Sequence, residues 1–353
     1  MSAHERAAVD VAVSALLSTG PYIGGPAVST FEDELAAYVG VAHGVGVDNG
    51  SNALTIALQA LGLTRGGVIL VPPNDGGFAA AATQAAGLVP GVVDVDAETG
   101  LVTADTLSAS DTEGVVGVIV THLHGILADM VPILEWCGSR GLAVVEDCAQ
   151  AHGARRGGTM AGAFGDVAAF SFYPTKNLGA LGDAGALVTD RPGVADRARL
   201  LRQYGWSSRF RVSDDQGRNS RLDSVQAAVL SARLPFLDTN NGRRREVGRR
   251  YRTAAPALDM LGPEDDSNVV HHAVARTRQR DGLWAHLVAA GVGVDLHYPY
   301  LVQEMPGIVL ASKVATPNAD VVRRECLSLP CFPGITDAEI DVVCGALREW
   351  SPQ

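Results

Sequence analysis

The sequence predicts an α/β fold with a mostly parallel central sheet that is covered by helices on both faces. Residues 66–96 run from an apolar strand, VILVP, through a helix of small residues to a second apolar strand, VPGVVDVD. Further short apolar runs follow at residues 115–120, 142–145 and 167–172. Strands that alternate with helices form βαβ units, and such units build a parallel sheet that is buried between helices.

The remaining elements are predicted in chain order. Residues 3–17 and 30–39 are expected to be helices on either side of a loop rich in glycine and proline, with Thr30 as the cap of the second helix. Within residues 45–62 the apolar positions recur with the spacing of a helix that buries one face. Later helices are predicted at residues 194–203, 224–234, 243–252, 281–290 and 336–349, and short strands at 269–275 and 291–300.

The densest positive charge lies in the run RRREVGRRYR at residues 243–252. Val247 and Tyr251 are four residues apart and are expected to pack, while the arginines form a solvated face on a connection between two domains. We prefer this interpretation to a nucleic-acid patch. A large domain is therefore expected at residues 1–240 and a smaller C-terminal α/β domain at residues 241–353.

The composition indicates a globular protein whose partners are small molecules and another copy of itself. The chain has 353 residues, of which 47% are apolar, and a formal net charge of −11, which disfavours nonspecific binding to nucleic acids or anionic membranes. The first ten residues carry charge where a signal peptide has an apolar core. No apolar run approaches the roughly 18 residues of a membrane span. We expect a cytoplasmic protein.

The cysteines and histidines give no metal or disulfide pattern. The five cysteines are odd in number and show no CxxC spacing, as is typical of reduced thiols. They stand at positions 137, 148, 326, 331 and 344. His122 and His124 lie two residues apart, but two histidines without a third ligand seldom form a metal site. No metal is expected.

A single lysine, Lys176, follows the strand predicted at residues 167–172, in the segment GDVAAFSFYPTKNLGALGD. Pro174 ends the strand, and the glycines around the lysine allow the backbone to approach a ligand closely. A lysine in this place can be a surface ammonium, a phosphate clamp, or an amine that forms an imine with an aldehyde.

Two carboxylates, Glu146 and Asp147, end the apolar run at residues 142–145. Either residue could cap a following helix. In open α/β sheets, however, the ligand crevice lies outside the carboxyl ends of the strands, so a carboxylate here can also face a site. Asp147 together with Lys176 is the pair that pyridoxal 5'-phosphate chemistry requires, with the acid keeping the ring nitrogen protonated.

Five separated blocks carry a resemblance that runs nearly end to end. They read GPYIGGPAVSTFEDELAAYVG, EDCAQAHGA, FSFYPTKNLGALGDAGA, GRNSRLDSVQAAVL and LSLPCFPGIT. In these blocks the chain resembles the sugar aminotransferases of the DegT/DnrJ/EryC1/StrS group. The resemblance implies the fold of the fold-type I pyridoxal-phosphate enzymes, with the cofactor bound in the large domain and Lys176 and Asp147 as catalytic residues.

The resemblance also implies which residues bind the cofactor. The phosphate is expected to lie between Gly50, Ser51 and Ser171 and to be reached by Asn219 of the other subunit of a homodimer. Gln150 either touches the ring hydroxyl or is a plain surface glutamine. The full expected set is Gly50, Ser51, Asn52, Phe78, Asp147, Gln150, Ser171, Lys176 and Asn219.

One stretch departs from the family pattern. Asp75 and Gly76 stand where the family usually has a threonine followed by an aromatic residue. Phe78 is therefore our candidate for the aromatic that stacks on the pyridine ring, although it could equally belong to the core. His152, close to Gln150, is expected to be a packed histidine without a chemical role.

The activity implied by the resemblance is transamination. An amino acid, with glutamate as the expected donor, would deliver its amino group to a nucleotide-linked keto sugar such as a dTDP-3- or 4-keto-deoxyhexose, on a route to amino sugars of antibiotics or surface glycans. Two alternatives stay open. One is a cyclitol aminotransferase that acts on a keto-inositol, and the other is a non-catalytic regulator of the same fold, against which Lys176 and Asp147 argue.

Overall fold

The structure is a computed structural model that describes residues 1–351, so the last two residues of the predicted C-terminal domain, 352 and 353, lie outside the described residues. The helices are α1 Ala3–Thr19, α2 Pro26–Val39, α3 Gly50–Ala60, α4 Phe78–Ala85, α5 Ala104–Ser108, α6 Met130–Gly138, α7 Pro192–Leu201, α8 Ser224–Arg233, α9 Leu237–Ala254, α10 Arg280–Ala289, α11 Pro317–Glu325 and α12 Asp337–Glu349. The strands are β1 His43–Val47, β2 Val68–Val71, β3 Val89–Val92, β4 Val115–Thr121, β5 Ala143–Asp147, β6 Arg155–Arg156, β7 Thr159–Met160, β8 Val167–Ser171, β9 Gly185–Thr189, β10 Trp206–Ser208, β11 Arg211–Val212, β12 Asp259–Met260, β13 Ala273–Arg276 and β14 Cys326–Leu329.

A seven-stranded sheet in the order β1-β9-β8-β5-β4-β2-β3 forms the centre of the molecule. The pairs from β8 through β5, β4 and β2 to β3 are parallel, and β9 runs antiparallel to both of its neighbours. The prediction of a mostly parallel sheet between helices is confirmed.

Both faces of this sheet are buried because alternate residues of each strand point to opposite sides. In β5, Val144 joins a core that contains α2, α6 and α8 residues. The next residue, Val145, joins a second core built with α3, α4 and α7. Strands covered on both faces read as continuous apolar runs, which is why their sequences carry no polar alternation.

The C-terminal part has an antiparallel sheet and an apolar core of its own. Strands β12, β13 and β14 pair in that order. Their core includes Val247 and Tyr251 of α9, as predicted, together with Leu283 and Leu287 of α10 and α12 residues. Helix α9 runs across the predicted boundary at residue 240, and the boundary itself stays a prediction.

Several local predictions were wrong. Helix α2 begins at Pro26 after Gly25, so Thr30 lies within the helix and does not cap it. Residues 291–300 form no regular strand and make only the isolated bridge between Asp295 and Ser328. Arg244 is not solvated, since its guanidinium is buried and donates to the carbonyls of His271 and Cys331.

No helix within residues 1–351 has both the length and the apolar character needed to cross a membrane.

Candidate active site

A cavity of about 640 Å³ opens at the carboxyl ends of β5 and β8. Six of the residues predicted to bind or process a cofactor line it: Gly50, Ser51, Asn52, Phe78, Ser171 and Lys176. This is the edge of the sheet at which ligands bind in open α/β folds. We call it the lysine cavity.

Lys176 is held in a tight turn after β8. Its backbone N–H donates to Tyr173 O over 2.8 Å, and Ala180 N–H donates to Phe172 O over the same distance. Helix α8 fixes the residues that follow, because Gln226 accepts from Leu181 N–H. Burial lowers the pKa of the Lys176 ammonium, an effect that the Asp147 charge partly offsets. The amine is thus closer to its neutral, proton-accepting form than a surface lysine.

Asp147 is the last residue of β5 and is buried. Its Oδ1 accepts a hydrogen bond of 3.0 Å from Ala149 N–H in a turn, and the next helix along the chain is α7, which begins only at Pro192. Burial raises the pKa of the Asp147 carboxyl, and the nearby Lys176 charge lowers it in part. The two groups therefore interact electrostatically, and the interpretation of Asp147 as a helix cap is wrong.

Glu146 faces the other side of β5 and has a structural role. Its carboxylate contacts the His122 ring at 3.0 Å and accepts the N–H groups of Gly162, Phe164 and Gly165 at 2.7 to 2.9 Å. The Nδ1 atom of that histidine accepts from Ala128 N–H.

His122, Glu146 and Cys148 lie within 4.8 Å of one another at their possible ligand atoms. The ligand atoms of His122 and Glu146 are already engaged in the hydrogen bonds just described. Burial also raises the pKa of the Cys148 thiol well above its ordinary value, which disfavours the thiolate that a metal needs. We interpret this cluster as structural.

The amino terminus of α3 meets β8 at Gly50. A Cβ atom added at Gly50 would lie 2.5 Å from Ser171 Cβ, so only glycine permits this approach. Asn49 caps the helix by accepting from Asn52 N–H. The N–H groups of Gly50 and Ser51 have no acceptor within residues 1–351. Together with the Ser171 hydroxyl they form a cradle for an anion, because the first N–H groups and the helix dipole both favour negative charge.

Asn52 lines the lysine cavity, but its side-chain amide donates to both oxygens of Asp48 at 2.9 and 3.0 Å. Asp48 also accepts from Ser220 Oγ, in the segment GRNSRLD. This network ties the cradle to the loop before α8.

Phe78 opens helix α4, and about half of its side chain is exposed at the lysine cavity, so it is not a core residue. Its ring meets Tyr298 edge to face, with centroids 5.9 Å apart. A Cβ atom at Gly76 would lie 3.0 Å from Phe78 and 3.2 Å from Tyr298. The two rings thus occupy the space beside the position where the family usually has an aromatic side chain.

Gln150 is buried, so its interpretation as a surface glutamine is wrong. Its Oε1 accepts from His124 N–H over 2.6 Å and its amide donates to the Tyr298 hydroxyl over 3.1 Å. His152 is packed as predicted, between the rings of Phe170 and Phe172.

Asn219 lies outside the lysine cavity. It is exposed and lines a neighbouring cavity of about 350 Å³ together with Asp48 and Arg221. Asp183 borders both cavities, so they adjoin. A role toward the site of another subunit stays a prediction.

Several cavity residues were missed from the sequence. His271, His272, His297 and Tyr298 come from segments predicted to be strands, and Tyr173 lies three residues before Lys176. Burial lowers the pKa of each of the three histidines and so favours the neutral form of each ring. The dipeptides His-His and His-Tyr before proline were the available signals, but neither has a periodicity that indicates which way the side chains point.

The sheet order, the strand-end carboxylate and the lysine turn together define the fold of the fold-type I pyridoxal-phosphate-dependent transferases. Residues 4–348 match the family model of the DegT/DnrJ/EryC1/StrS aminotransferase family. The chain belongs to this family, as the five sequence blocks had indicated.

Known relatives extend over almost the whole chain. A dTDP-3-amino-3,4,6-trideoxy-alpha-D-glucose transaminase of Streptomyces venezuelae is 39% identical, with 98% of this chain and 93% of that protein covered. The crystal structure of DesV from S. venezuelae in complex with a ketimine intermediate matches with a TM-score of 0.91 and 38% identity, over 98% of this chain and 94% of that chain. NtdA of Bacillus subtilis with bound cofactor PMP matches with a TM-score of 0.88 and 26% identity, over 98% of this chain and 82% of that chain.

Proposed function

We propose that the protein is a pyridoxal-phosphate-dependent aminotransferase that moves an amino group from glutamate to a nucleotide-linked keto sugar, of the class of dTDP-3- or 4-keto-deoxyhexoses. One observation carries the proposal. Lys176 lines the same cavity as the amino terminus of α3, where the N–H groups of Gly50 and Ser51 have no acceptor within residues 1–351, and the buried Asp147 lies beside that cavity. A relative that is 39% identical and named for a dTDP-amino-sugar supports the substrate class.

The residues present fit this cofactor. Its phosphate would lie in the cradle of Gly50, Ser51 and Ser171, where free N–H groups and hydroxyls give charge-assisted hydrogen bonds. Asp147 would hold the proton of the ring nitrogen. Phe78, at the cavity wall, would pack against the ring. The cofactor, when bound, supplies an aldehyde that carries the amino group and a cationic ring that takes up the electron pair released at the substrate carbon.

Lys176 has two tasks in this proposal. Its Nζ holds the cofactor between turnovers, and it then takes the proton from Cα of the amino-acid donor. In the second half of the reaction the same Nζ returns a proton at the sugar carbon that gains nitrogen. A lowered lysine pKa favours both tasks, since the amine must be neutral when it accepts a proton.

We further propose that the active form is a homodimer with shared sites. Asn219 is exposed beside the lysine cavity, and Tyr22, Ile23 and Leu181 expose apolar side chains on nearby loops. Exposed apolar groups around a site entrance suit a contact with a second copy of the chain.

The chain offers a sharp test because it contains only two lysines, Lys176 and Lys313. Reduction of the cofactor-loaded protein with borohydride fixes a carbonyl cofactor on the amine that holds it. Peptide mapping should then find the label on Lys176. Lys176→Ala should lose the label, the visible absorbance and turnover, whereas Lys313→Ala, at an exposed loop position, should keep all three. A label on Lys313, or full activity of Lys176→Ala, would overturn the proposal.

The substrate class is tested with the same preparations. Glutamate should convert the bound cofactor to its amino form, which is followed by absorbance. A dTDP-keto-deoxyhexose should convert it back, whereas a keto-inositol should not. Reversal by the cyclitol alone would favour the cyclitol alternative, and the absence of any spectral change with amino acids would favour the regulator.

A further inference from the structure

Thr121, the last residue of β4, carries a buried hydroxyl that the function proposed above does not use. The residue is 7% exposed, and its Oγ1 atom has no hydrogen-bond partner at full hydrogen-bonding geometry within residues 1–351. Burial of a hydroxyl without a partner costs free energy, so folded proteins satisfy most such groups. The position of this hydroxyl therefore needs a reason.

The central sheet places Thr121 directly beside Asp147. Strands β4 and β5 are parallel, and these two residues are the last pair in their register. Neighbouring strands lie about 4.8 Å apart, so the short side chains of such a pair can reach one another. Just beyond the pair, His122 N–H donates to Asp147 O over 3.1 Å, which fixes both backbones at the sheet edge.

Both side chains lie on one side of the sheet. The preceding pair on that side, Ile119 and Val145, joins the core that contains α3, α4 and α7 residues. Side chains alternate along a strand, so Thr121 and Asp147 belong to the same side two residues later. This is the side of α3, whose amino terminus lines the lysine cavity.

The hydroxyl of Thr121 already favours the ionised form of its neighbour. Burial raises the pKa of the Asp147 carboxyl, and Ala149 N–H, the charges of Lys176 and His122, and the Thr121 hydroxyl each lower it. Ala149 N–H donates to Oδ1 over 3.0 Å, whereas Oδ2 accepts no hydrogen bond within residues 1–351 at full geometry. The carboxylate can thus take a further donor.

Other groups near the carboxyl work against its charge. Asp75, four residues after the end of β2, is buried, and the charge of Asp147 contributes to its raised pKa. The charges of the same two carboxyls help to raise the pKa of the Tyr298 hydroxyl, which comes from the C-terminal loop. A buried carboxyl with a second one in electrostatic reach stays ionised only if enough donors and positive charges favour its anion.

We propose that Thr121 is a positioning residue for Asp147. Its hydroxyl donates to the Asp147 carboxylate and keeps that group in the ionised form, which in turn keeps the ring nitrogen of the cofactor protonated. This inference rests on the proposed aminotransferase function. It explains why a hydroxyl is buried next to the one carboxyl that the proposed function requires to be an anion.

A double-mutant cycle tests the hydrogen bond without any cofactor. Thr121→Val keeps the shape of the side chain and removes the hydroxyl. In urea unfolding of the full chain above neutral pH, it should lower the midpoint in the wild-type background and leave it unchanged in the Asp147→Ala background. Equal changes in both backgrounds would overturn the inference. So would a higher midpoint for Thr121→Val alone, because a hydroxyl that only fills space is a cost that valine removes.

The loaded protein gives a second readout that a purely structural role would not move. With an isotopically labelled ring nitrogen in pyridoxal phosphate, nitrogen NMR reports whether that atom carries a proton. Thr121→Val should move the signal toward that of the neutral ring, since a carboxylate that loses a donor holds a proton more tightly itself. Thr121→Ser keeps a hydroxyl and should keep the wild-type signal. A wild-type signal in Thr121→Val would contradict the inference.

Turnover provides the third comparison. Thr121→Val should lower kcat about tenfold, as expected for the loss of a hydrogen bond to a charged group, with little change in KM for glutamate. Thr189→Val is the matched control. Thr189 is also a buried threonine at a strand end, but its hydroxyl donates to Asp166 O at the opposite edge of the sheet, beside the start of β8. Its substitution should leave the ring-nitrogen signal and kcat unchanged.

The two proposals can fail separately. If the borohydride label remains on Lys176 but Thr121→Val behaves like the wild type in the cycle and in the NMR signal, the Thr121 inference is wrong and the aminotransferase proposal stands. If the cycle shows coupling between Thr121 and Asp147 but no label forms, the hydrogen bond stands and the aminotransferase proposal is wrong.

Discussion

The side-chain amide of Gln150 donates a hydrogen bond of 3.1 Å to the hydroxyl of Tyr298, which joins two segments far apart in the chain at the lysine cavity. The same glutamine accepts from His124 N–H over 2.6 Å. One side chain therefore fixes three segments: the turn after β5, the turn after β4 and the C-terminal loop that carries Tyr298.

Two replacements of Gln150 should distinguish the hydrogen bond that it accepts from His124 N–H from the one that it donates to Tyr298. Gln150→Leu leaves the buried His124 N–H without an acceptor and should reduce the free energy of unfolding by about 1–3 kcal/mol. Gln150→Glu keeps an acceptor for His124 N–H and should reduce the free energy of unfolding by less than Gln150→Leu does. Urea denaturation of the two variants and the wild type checks the order, and equal losses would show that the hydrogen bond to His124 contributes little.

Gly50→Ala should impair phosphate binding at the cradle. The new methyl group would lie 2.5 Å from Ser171 Cβ, so α3 and β8 must move apart and the N–H groups must shift. We expect the dissociation constant of pyridoxal phosphate to rise about tenfold or more, by the loss of charge-assisted hydrogen bonds. Fluorescence titration of the cofactor measures it.

Gly193→Ala is the matched control for that experiment. Gly193 also lies near a helix start, in α7, but no atom lies within 4 Å of a Cβ atom built there. Its substitution should leave cofactor affinity unchanged. An equal effect of the two substitutions would contradict a specific role for the approach of Gly50 to Ser171.

Glu146 should make the protein sensitive to acid. Burial raises the pKa of this carboxyl, but the His122 ring and the N–H groups of Gly165 and Gly162 outweigh it, so the folded-state pKa is lowered. A carboxyl with a lowered pKa stabilises the fold above its unfolded pKa of about 4.3, and this contribution is lost as the pH falls through the folded value.

Glu146→Gln removes that ionisation. We expect it to cost roughly 3–5 kcal/mol at pH 7, since it removes a buried, fully hydrogen-bonded charge, and to flatten the acid limb of the stability curve. Urea unfolding at several pH values below 5 measures the slope. An unchanged slope in the variant would assign the acid sensitivity to other carboxyls.

Asp75 should make the fold less stable as the pH rises, which is the opposite of the effect of Glu146. Burial, together with the charge of Asp147, raises the pKa of Asp75 to about 7, although Ala79 N–H and Gly77 N–H donate to its carboxylate. A carboxyl whose pKa is higher in the folded than in the unfolded state stabilises the fold when it is protonated. Its contribution to stability is therefore greatest below about pH 4 and is lost as the pH rises toward 7.

Asp75→Asn should remove this loss. Between pH 4 and 7 the free energy of unfolding of the wild type should fall relative to that of the variant by up to about 4 kcal/mol. Denaturation curves of both proteins over this range provide the comparison. A constant difference between the two proteins would show that Asp75 titrates as an ordinary aspartate.

The sequence predicted those parts of the site whose signals are local. Lys176 and Asp147 were expected at strand ends, and the structure places them there, because a short apolar run identifies a buried strand and the residue after it identifies the edge. The helix start at Gly50 was also readable from its spacing and capping residues. The predictions that failed, such as the cap at Thr30 and the strand at residues 291–300, lie in loops or at element ends, where periodicity gives no signal.

By itself the sequence determined the sheet, the family and the two residues proposed for the chemistry, since periodic patterns and motifs report local structure. Only the tertiary structure decided that Asp147 lies within electrostatic reach of Lys176, while Glu146 contacts the His122 ring on the other side of β5. It also decided that Gln150 pairs with Tyr298 and that His271, His272 and His297 line the lysine cavity. The physical reason is that contacts between distant segments depend on how strands and irregular loops pack in three dimensions, and a one-dimensional pattern does not encode that packing residue by residue.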